Sequence, residues 1–388
     1  MTYDLNTFID RQHQYDCAKW TQYPNEVIPL WVADMDFLSP EPVLRALHER
    51  VDHGIFGYQM DSPALRTILI ERLKTRHNLT VTSEQITFLP GLVFGLNTVS
   101  RAVGEPGSAV LMNTPIYPPF LSAPKNNDQL VQTAPMASTV TEGVLRYEID
   151  FDALEAAVTP ETRLFLLCNP HNPVGRVYTR QELEALADFC LRHNLLICAD
   201  EIHCDLVYAG EQHLSIASLS PEVADRTITL LAPSKTFNLP GFGLGFSVIQ
   251  NEALRKQIET TFHKIGASVN ALAYTAAEAA YRDGQPWLDQ VLAYLKDNRD
   301  AAVDFIQENF PNLPVTRPEG TYLDWVDCRP LNLQPDPYKF FLDNAHVAFS
   351  DGAAFDAPGF IRINYATTRD TLMEGLNRMQ RALAADKV

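Results

Sequence analysis

The sequence predicts an α/β fold, with a mostly parallel sheet covered by helices on both faces and a smaller α/β domain at the C-terminal end. Three observations predict it. From about residue 84 to 250, short apolar runs alternate with segments of helical period. Several of those runs are apolar without alternation, as strands buried on both faces are. After "FPNLPV" (310–315) the pattern changes to isolated strands set between helices.

The elements follow in order. A tail leads into two helices, "PEPVLRALHERV" (40–51) and "SPALRTILIERLKTRHN" (62–78), the second opening on Ser62 as its cap. The strands of the large sheet are "QITFLP", "SAVLMN", "RLFLLCN", "LLICAD", "TITLLA" and "GFSVIQ". Between them "RQELEALADFCLRHN" (180–194) repeats apolar residues three and four apart and closes on Asn194. Two more helices, "EALRKQIETTFHKIG" and "SVNALAYTAAEAAYRDG", precede a long one over about 285–309. The last part carries "TYLDWVD", "VAFS" and "FIRINYA" between helices around 336–345 and 369–385. This divides the chain into an N-terminal arm (1–40) joined to the small domain, a large domain (41–285) and a small domain (286–388), with the last boundary inside the long helix.

With 388 residues the chain exceeds one ordinary core, and 46% hydrophobic with 20% charged residues is an ordinary globular balance. A net charge of −17, from 31 basic and 48 acidic residues, argues against nucleic acid or an anionic membrane as partner, since both need a basic face. The start, "MTYDLNTFIDRQHQYD", lacks the basic and apolar regions of a signal peptide, so a cytoplasmic protein is expected. Six irregularly spaced cysteines without a C-x-x-C pair read as reduced, mostly buried thiols, with no metal site expected.

Ligands of open parallel sheets bind beyond the carboxyl ends of the strands. Five of these ends carry unusual residues. "GLVFGLNTV" follows the first strand, and free N–H groups at Gly91, Leu92 and Val93 at a helix start can hold a phosphate, although a plain turn reads the same way. "TPIYPPF" fixes Tyr117 between prolines, for stacking or for packing. "NPHNPVG" makes a rigid turn in which Asn172 offers an amide donor. "DEIHCDL" ends a buried strand with Asp200, which needs a cation or a capping role, and has His203 three residues on. "PSKTFNLPG" adds Ser234 and Lys235, a hydroxyl and an amine ahead of a turn. One ligand uses all five: a flat, phosphorylated aromatic aldehyde whose ring nitrogen needs a carboxylate and whose aldehyde needs an amine, namely pyridoxal 5'-phosphate.

In this order the motifs resemble the fold type I pyridoxal-phosphate enzymes of the class I/II aminotransferase superfamily. "PLWVADMDF", "HGIFGY", "DEIHCDL", "SKTFNLPG" and "EGTYLDWVD" are similar to its MalY/PatB-type carbon–sulfur lyases, the cystathionine β-lyase-like branch. The resemblance implies a PLP-dependent transferase-like fold in which Lys235 bonds the cofactor aldehyde and Asp200 pairs with the ring nitrogen. It places Asn172 and His203 near the ring's phenolic oxygen, Tyr117 on the ring, and Ser234 with Gly91, Leu92 and Val93 at the phosphate. It gives Arg362 the substrate carboxylate, and it implies a homodimer in which Tyr58 reaches into the second subunit's site as a further catalytic residue.

Two departures from the aminotransferase pattern favour the lyase branch: His203 stands where a tyrosine is usual after the aspartate, and Gly243 where an arginine is usual after the lysine. A third, Ala232 in place of a serine, thins the phosphate site. The implied activity is β-elimination from a cysteine S-conjugate, a cystathionine-like thioether or a sulfoxide, giving a thiol-type product, pyruvate and ammonia. An aminotransferase, or a regulatory protein on the same scaffold, is the alternative. Trp31, Phe37 and Phe56 are candidates to shape the pocket around the sulfur substituent, or else to pack in the core.

Overall fold

Residues that alternate along a strand face opposite sides of its sheet, so a run apolar at every position needs cover on both sides. The structure, a computed structural model that describes residues 2–13 and 17–385, supplies that cover. Val110, Met112, Leu164 and Leu166 join one core with the helix Leu92–Val103, whereas Leu111, Phe165 and Leu167 join another with the helix Arg180–Arg192. All seven strand residues are at most 2% exposed, and each such side chain contributes roughly 1.5–3 kcal/mol relative to an exposed one.

The large sheet has seven strands, in the spatial order Ile86–Leu89, Gly245–Ile249, Thr227–Leu231, Leu196–Asp200, Thr162–Cys168, Ala109–Thr114 and Leu130–Pro135. Gly245–Ile249 runs antiparallel to both neighbours, and every other adjacent pair is parallel. Six strands therefore end at one edge of the sheet, which brings the five motifs of the sequence together. All six strands expected from the sequence are present. The seventh, Leu130–Pro135, was not expected: it is an edge strand with a largely half-exposed pattern, so it lacks the continuous apolar run of its neighbours.

The two helices ahead of the sheet form at Glu41–His53 and Pro63–His77, and Ser62 caps the second by accepting from the Leu65 N–H. The long helix spans Gln285–Asn309. Beyond it Leu323–Asp327 and Phe360–Asn364 form the centre of a second, six-stranded sheet. Part of that sheet comes from far upstream: the hairpin Ala137–Thr141 and Val144–Glu148 joins it by pairing with Val315–Thr316. The tail joins the C-terminal part as well, since Ile28–Pro29 pairs in parallel with Val347–Ala348. Six cysteines are free thiols and five of them are buried.

Candidate active site

The carboxyl edge of the large sheet opens into a cavity of about 770 Å³, lined on its sheet side by Gly91, Leu92, Val93, Tyr117, Asn172, Asp200, His203, Ser234 and Lys235, with Arg362 opposite. Ten of the eleven residues that the resemblance assigns to the site thus line one space. The eleventh, Tyr58, does not: it is fully exposed, in a stretch where Ile55, Phe56 and Met60 are exposed too.

Local structure explains how each group is presented. Gly91 has φ 101°, a backbone region that residues with a Cβ avoid, and it starts the helix Leu92–Val103 without a side-chain cap. The first amide N–H groups of that helix are therefore left for another acceptor. Lys235 rides on the single helical turn Pro233–Thr236, whose cap position, Ala232, likewise has no side-chain oxygen to offer. The loop after the lysine is stitched to the N-terminal segment by Asn238, which accepts from the Met35 N–H at 3.0 Å and donates to the carbonyls of Met35 and Phe37. That segment is anchored in turn, because Asp36 accepts from Lys19, Trp20 and Arg11 at 2.7–2.9 Å.

Asp200, Lys235 and Arg362, all lining the cavity, have no ion-pair partner among the described residues. Asp200, buried at its strand end, accepts from the Ile202 N–H at 3.1 Å. Burial pushes its carboxyl up to about 7, against the opposing pull of that N–H and of the Lys235 charge. Its neighbour Glu201 points elsewhere and is satisfied by His213 at 3.0 Å and Ser215 at 2.8 Å. Lys235, half-buried at the cavity wall, donates to the Ala33 carbonyl at 2.5 Å, and desolvation brings its ammonium down to about 8.

Arg362 is buried in mid-strand and donates to Asn172 Oδ1 at 3.0 Å, the Trp31 carbonyl at 2.9 Å and Ser350 Oγ at 3.0 Å. Its Nε has no partner, and burial lowers the guanidinium to about 10. His203 is buried with Nδ1 unpartnered, and desolvation, reinforced by the Lys235 and Arg362 charges, holds it well below the usual imidazole range, hence neutral. Asn172, with its oxygen engaged by Arg362, keeps its amide N–H groups to donate.

Sequence reasoning missed several residues of the site. The Ala33 carbonyl receives Lys235 and also the Tyr322 hydroxyl at 2.9 Å, a convergence across about two to three hundred residues that no local pattern announces. Tyr23, Tyr338, Ser350 and Asp351 line the outer wall. Of the three aromatic candidates for the pocket, Trp31 does line it. Phe37 instead packs edge-on against Tyr294 in the core, and Phe56 is exposed, because the first lies beyond the Asn238 staple and the second on the projecting stretch.

The family described as aminotransferase class I and II matches residues 25–379, and the chain belongs to it. Within that family it is 36% identical to cystathionine beta-lyase PatB of Bacillus subtilis (strain 168), over 92% of this chain and 93% of that protein. Among solved structures, that of OvoB superposes with a TM-score of 0.94 at 42% identity, covering 99% of this chain and 100% of the other. Cystalysin from Treponema denticola, solved with a pyridoxal 5'-phosphate cofactor, superposes with a TM-score of 0.93 at 32% identity, covering 99% and 100%. The name of the PatB relative agrees with the lyase-branch motifs of the sequence.

Proposed function

We propose that this chain is a PLP-dependent carbon–sulfur β-lyase that cleaves a cysteine S-conjugate, a thioether or a sulfoxide, to a thiol-type product, pyruvate and ammonia. The observation that carries the reading is the set of unpaired charges in one cavity. A buried carboxylate, a half-buried amine and a buried guanidinium with no counter-charge in ion-pair contact are each costly, and a ligand that brings a cation, an aldehyde and a carboxylate to those places relieves the cost. PLP with an amino-acid substrate fits this donor set, and the unpartnered Nε of Arg362 and Nδ1 of His203 fit it too. PatB and cystalysin are relatives whose names and contents support the same choice.

When bound, PLP supplies an electron sink for the carbanion at the substrate Cα. The protein does the rest. Asp200 would keep a proton on the ring nitrogen of the bound group, which keeps that sink effective. Arg362 clamps the substrate carboxylate with two N–H groups and so fixes the direction of the Cα–H bond. Lys235, lowered to about 8, has a neutral fraction near neutral pH and takes the Cα proton as general base. Asn172 and the neutral His203 would hold the ring's phenolic oxygen, Tyr117 would cover the ring, and Ser234 with the Gly91, Leu92 and Val93 N–H groups would hold the phosphate.

The reading includes a homodimer in which the exposed stretch bearing Ile55, Phe56, Tyr58 and Met60 covers a second copy, with Tyr58 entering that copy's site. It includes the division into arm (1–40), large domain (41–285) and small domain (286–388), and a cytoplasmic setting suited to six free thiols. The test is incubation of the PLP-loaded protein with L-cystathionine and with an S-alkyl cysteine sulfoxide in the absence of any keto acid. Release of pyruvate and of the sulfur product, lost in Lys235→Ala, is expected. Amino-group transfer that requires a keto-acid acceptor, with no pyruvate from either conjugate, overturns the reading in favour of an aminotransferase.

A further inference from the structure

One residue of the strand-end motifs has no task in the function proposed above. "NPHNPVG" supplies Asn172 to the cavity, but His171 beside it is buried and does not line the cavity. Its imidazole lies between two neighbouring loops instead. The strands Ala109–Thr114 and Thr162–Cys168 pair in parallel, so the loops that follow them, bearing Tyr117 and Asn172, leave the sheet side by side.

The sequence creates a need that this imidazole meets. In a reverse turn or a first helical turn the Pro115 carbonyl would accept from the N–H three or four residues on, and in "TPIYPPF" both places are prolines, Pro118 and Pro119, which have no N–H. Pro115 is buried, and a buried carbonyl needs a donor from the protein. His171 Nε2 lies 2.8 Å from that carbonyl oxygen, and its Nδ1 lies 2.9 Å from the Tyr178 hydroxyl. A carbonyl can only accept, so Nε2 carries the proton, Nδ1 is bare, and the Tyr178 hydroxyl donates to it. Desolvation, aided by the Arg176 charge and opposed by the carbonyl, brings the imidazole down to about 4, so it is neutral at pH 7. Tyr178 is fixed in turn. Its N–H donates to Asn169 Oδ1 at 3.1 Å, and its ring lies under the Arg176 guanidinium, which Glu182 and Glu319 hold at 2.8 and 2.9 Å.

We propose that His171 is a positioning residue: as the Nε2–H tautomer it ties the Tyr117 loop to the Asn172 loop, and so sets from behind the side chains that meet the cofactor ring. This rests on the proposed function in taking Tyr117 and Asn172 as the neighbours of that ring. Because Asn172 Oδ1 also accepts from Arg362, a shift of its loop reaches the substrate clamp as well. Loss of the tie therefore changes cofactor binding and turnover together, beyond any change in Tm.

Two variants test this. His171→Met is apolar and of similar length, whereas His171→Gln keeps an N–H donor for Pro115 and an oxygen for Tyr178. Each is titrated with PLP from the cofactor-free state, the bound PLP is read by visible circular dichroism, and pyruvate release from L-cystathionine gives kcat and KM. In His171→Met the Kd for PLP is expected to rise about tenfold, the dichroic band to fall to about half or less, and kcat to fall about 10²-fold, with all three within about threefold of the parent in His171→Gln. A folded His171→Met that keeps all three values of the parent overturns the inference, and so does a folded His171→Gln that fails as fully as His171→Met. Should His171→Met not fold, nitrogen-15 NMR of the histidine-labelled parent decides, the His171 signals being identified by their loss from His171→Gln: an Nε2–H tautomer supports the inference and an Nδ1–H tautomer overturns it. The expected order in PLP binding and dichroism with no pyruvate from the parent supports the inference and overturns the lyase reading.

Discussion

Replacing Arg362 by methionine separates what the site does for function from what it does for stability. Burial lowers this guanidinium from 12.5 to about 10, and at ~1.4 kcal/mol per pKa unit the charge costs the fold about 3 kcal/mol. A base whose pKa is depressed in the folded state carries this penalty wherever it is protonated in both states, so the cost is constant from pH 5 to 9. Methionine keeps the length and removes the charge. The acceptors it abandons, on Asn172, Trp31 and Ser350, are at a cavity where water replaces the lost donors. A net gain of about 2 kcal/mol remains, which for a chain of this length is a rise of about 2–3 °C in Tm. On the proposed reading the same change also removes two charge-assisted hydrogen bonds to the substrate carboxylate, at roughly 1.5–3 kcal/mol each, so kcat/KM is expected to fall by about 10² to 10⁴. Thermal melting of the cofactor-free protein and steady-state pyruvate release give both numbers. A variant that melts below the parent, or whose kcat/KM stays within tenfold, refutes the reasoning.

Three further outcomes are expected. Asp324 is fully buried with neither carboxylate oxygen hydrogen-bonded, and burial holds it well above the usual carboxylate range. An acid raised in this way is protonated in the fold and ionised when unfolded, so its contribution to stability is present below pH ~4 and lost as pH rises; Asp324→Asn should gain on the parent by ~1.4 kcal/mol per pH unit between pH 5 and 6, seen as a growing gap in urea midpoint. Asp205 joins Arg72 at 2.7 Å, His77 and Thr236; although burial opposes it, Arg72 and His77 hold this carboxyl well below its usual range, so the stability it contributes is present above pH ~4 and lost on acidification. Asp205→Ala strands the Arg72 guanidinium and should cost about 3–5 kcal/mol in denaturant unfolding at pH 7. Asp200→Ala should lower kcat by about three orders of magnitude, ~4 kcal/mol, while the Kd for PLP changes far less, as read by absorbance titration and pyruvate release.

The site was legible to the extent that it lies at the ends of buried parallel strands. A continuous apolar run that stops at Asp200 or just before Lys235 marks both the strand and the polar residue at its tip. Elements without such a run stayed hidden: the edge strand Leu130–Pro135 and the fully exposed Ala137–Thr141 alternate or lack apolar residues because only one side or neither is covered. Contacts made by backbone also stayed hidden, since the Ala33 carbonyl could be any carbonyl until the fold sets it against Lys235. The acidic pair at 200–201 shows the same limit at finer grain. Its two carboxylates look equivalent in sequence, yet adjacent residues face opposite sides, and one meets the cavity while the other meets His213 and Ser215.

The hairpin over 137–148 leaves the run of large-sheet strands, completes the edge of the other sheet, and returns. Severing the backbone once, anywhere along the long helix, therefore leaves the large sheet whole but divides the other: the first piece keeps two strands with nothing to lie beside, and the second bares the Val315–Thr316 border they had shielded. Such fragments invite sticking through open strand borders, so the polypeptide is one unit of assembly and of inheritance even though its architecture reads as two.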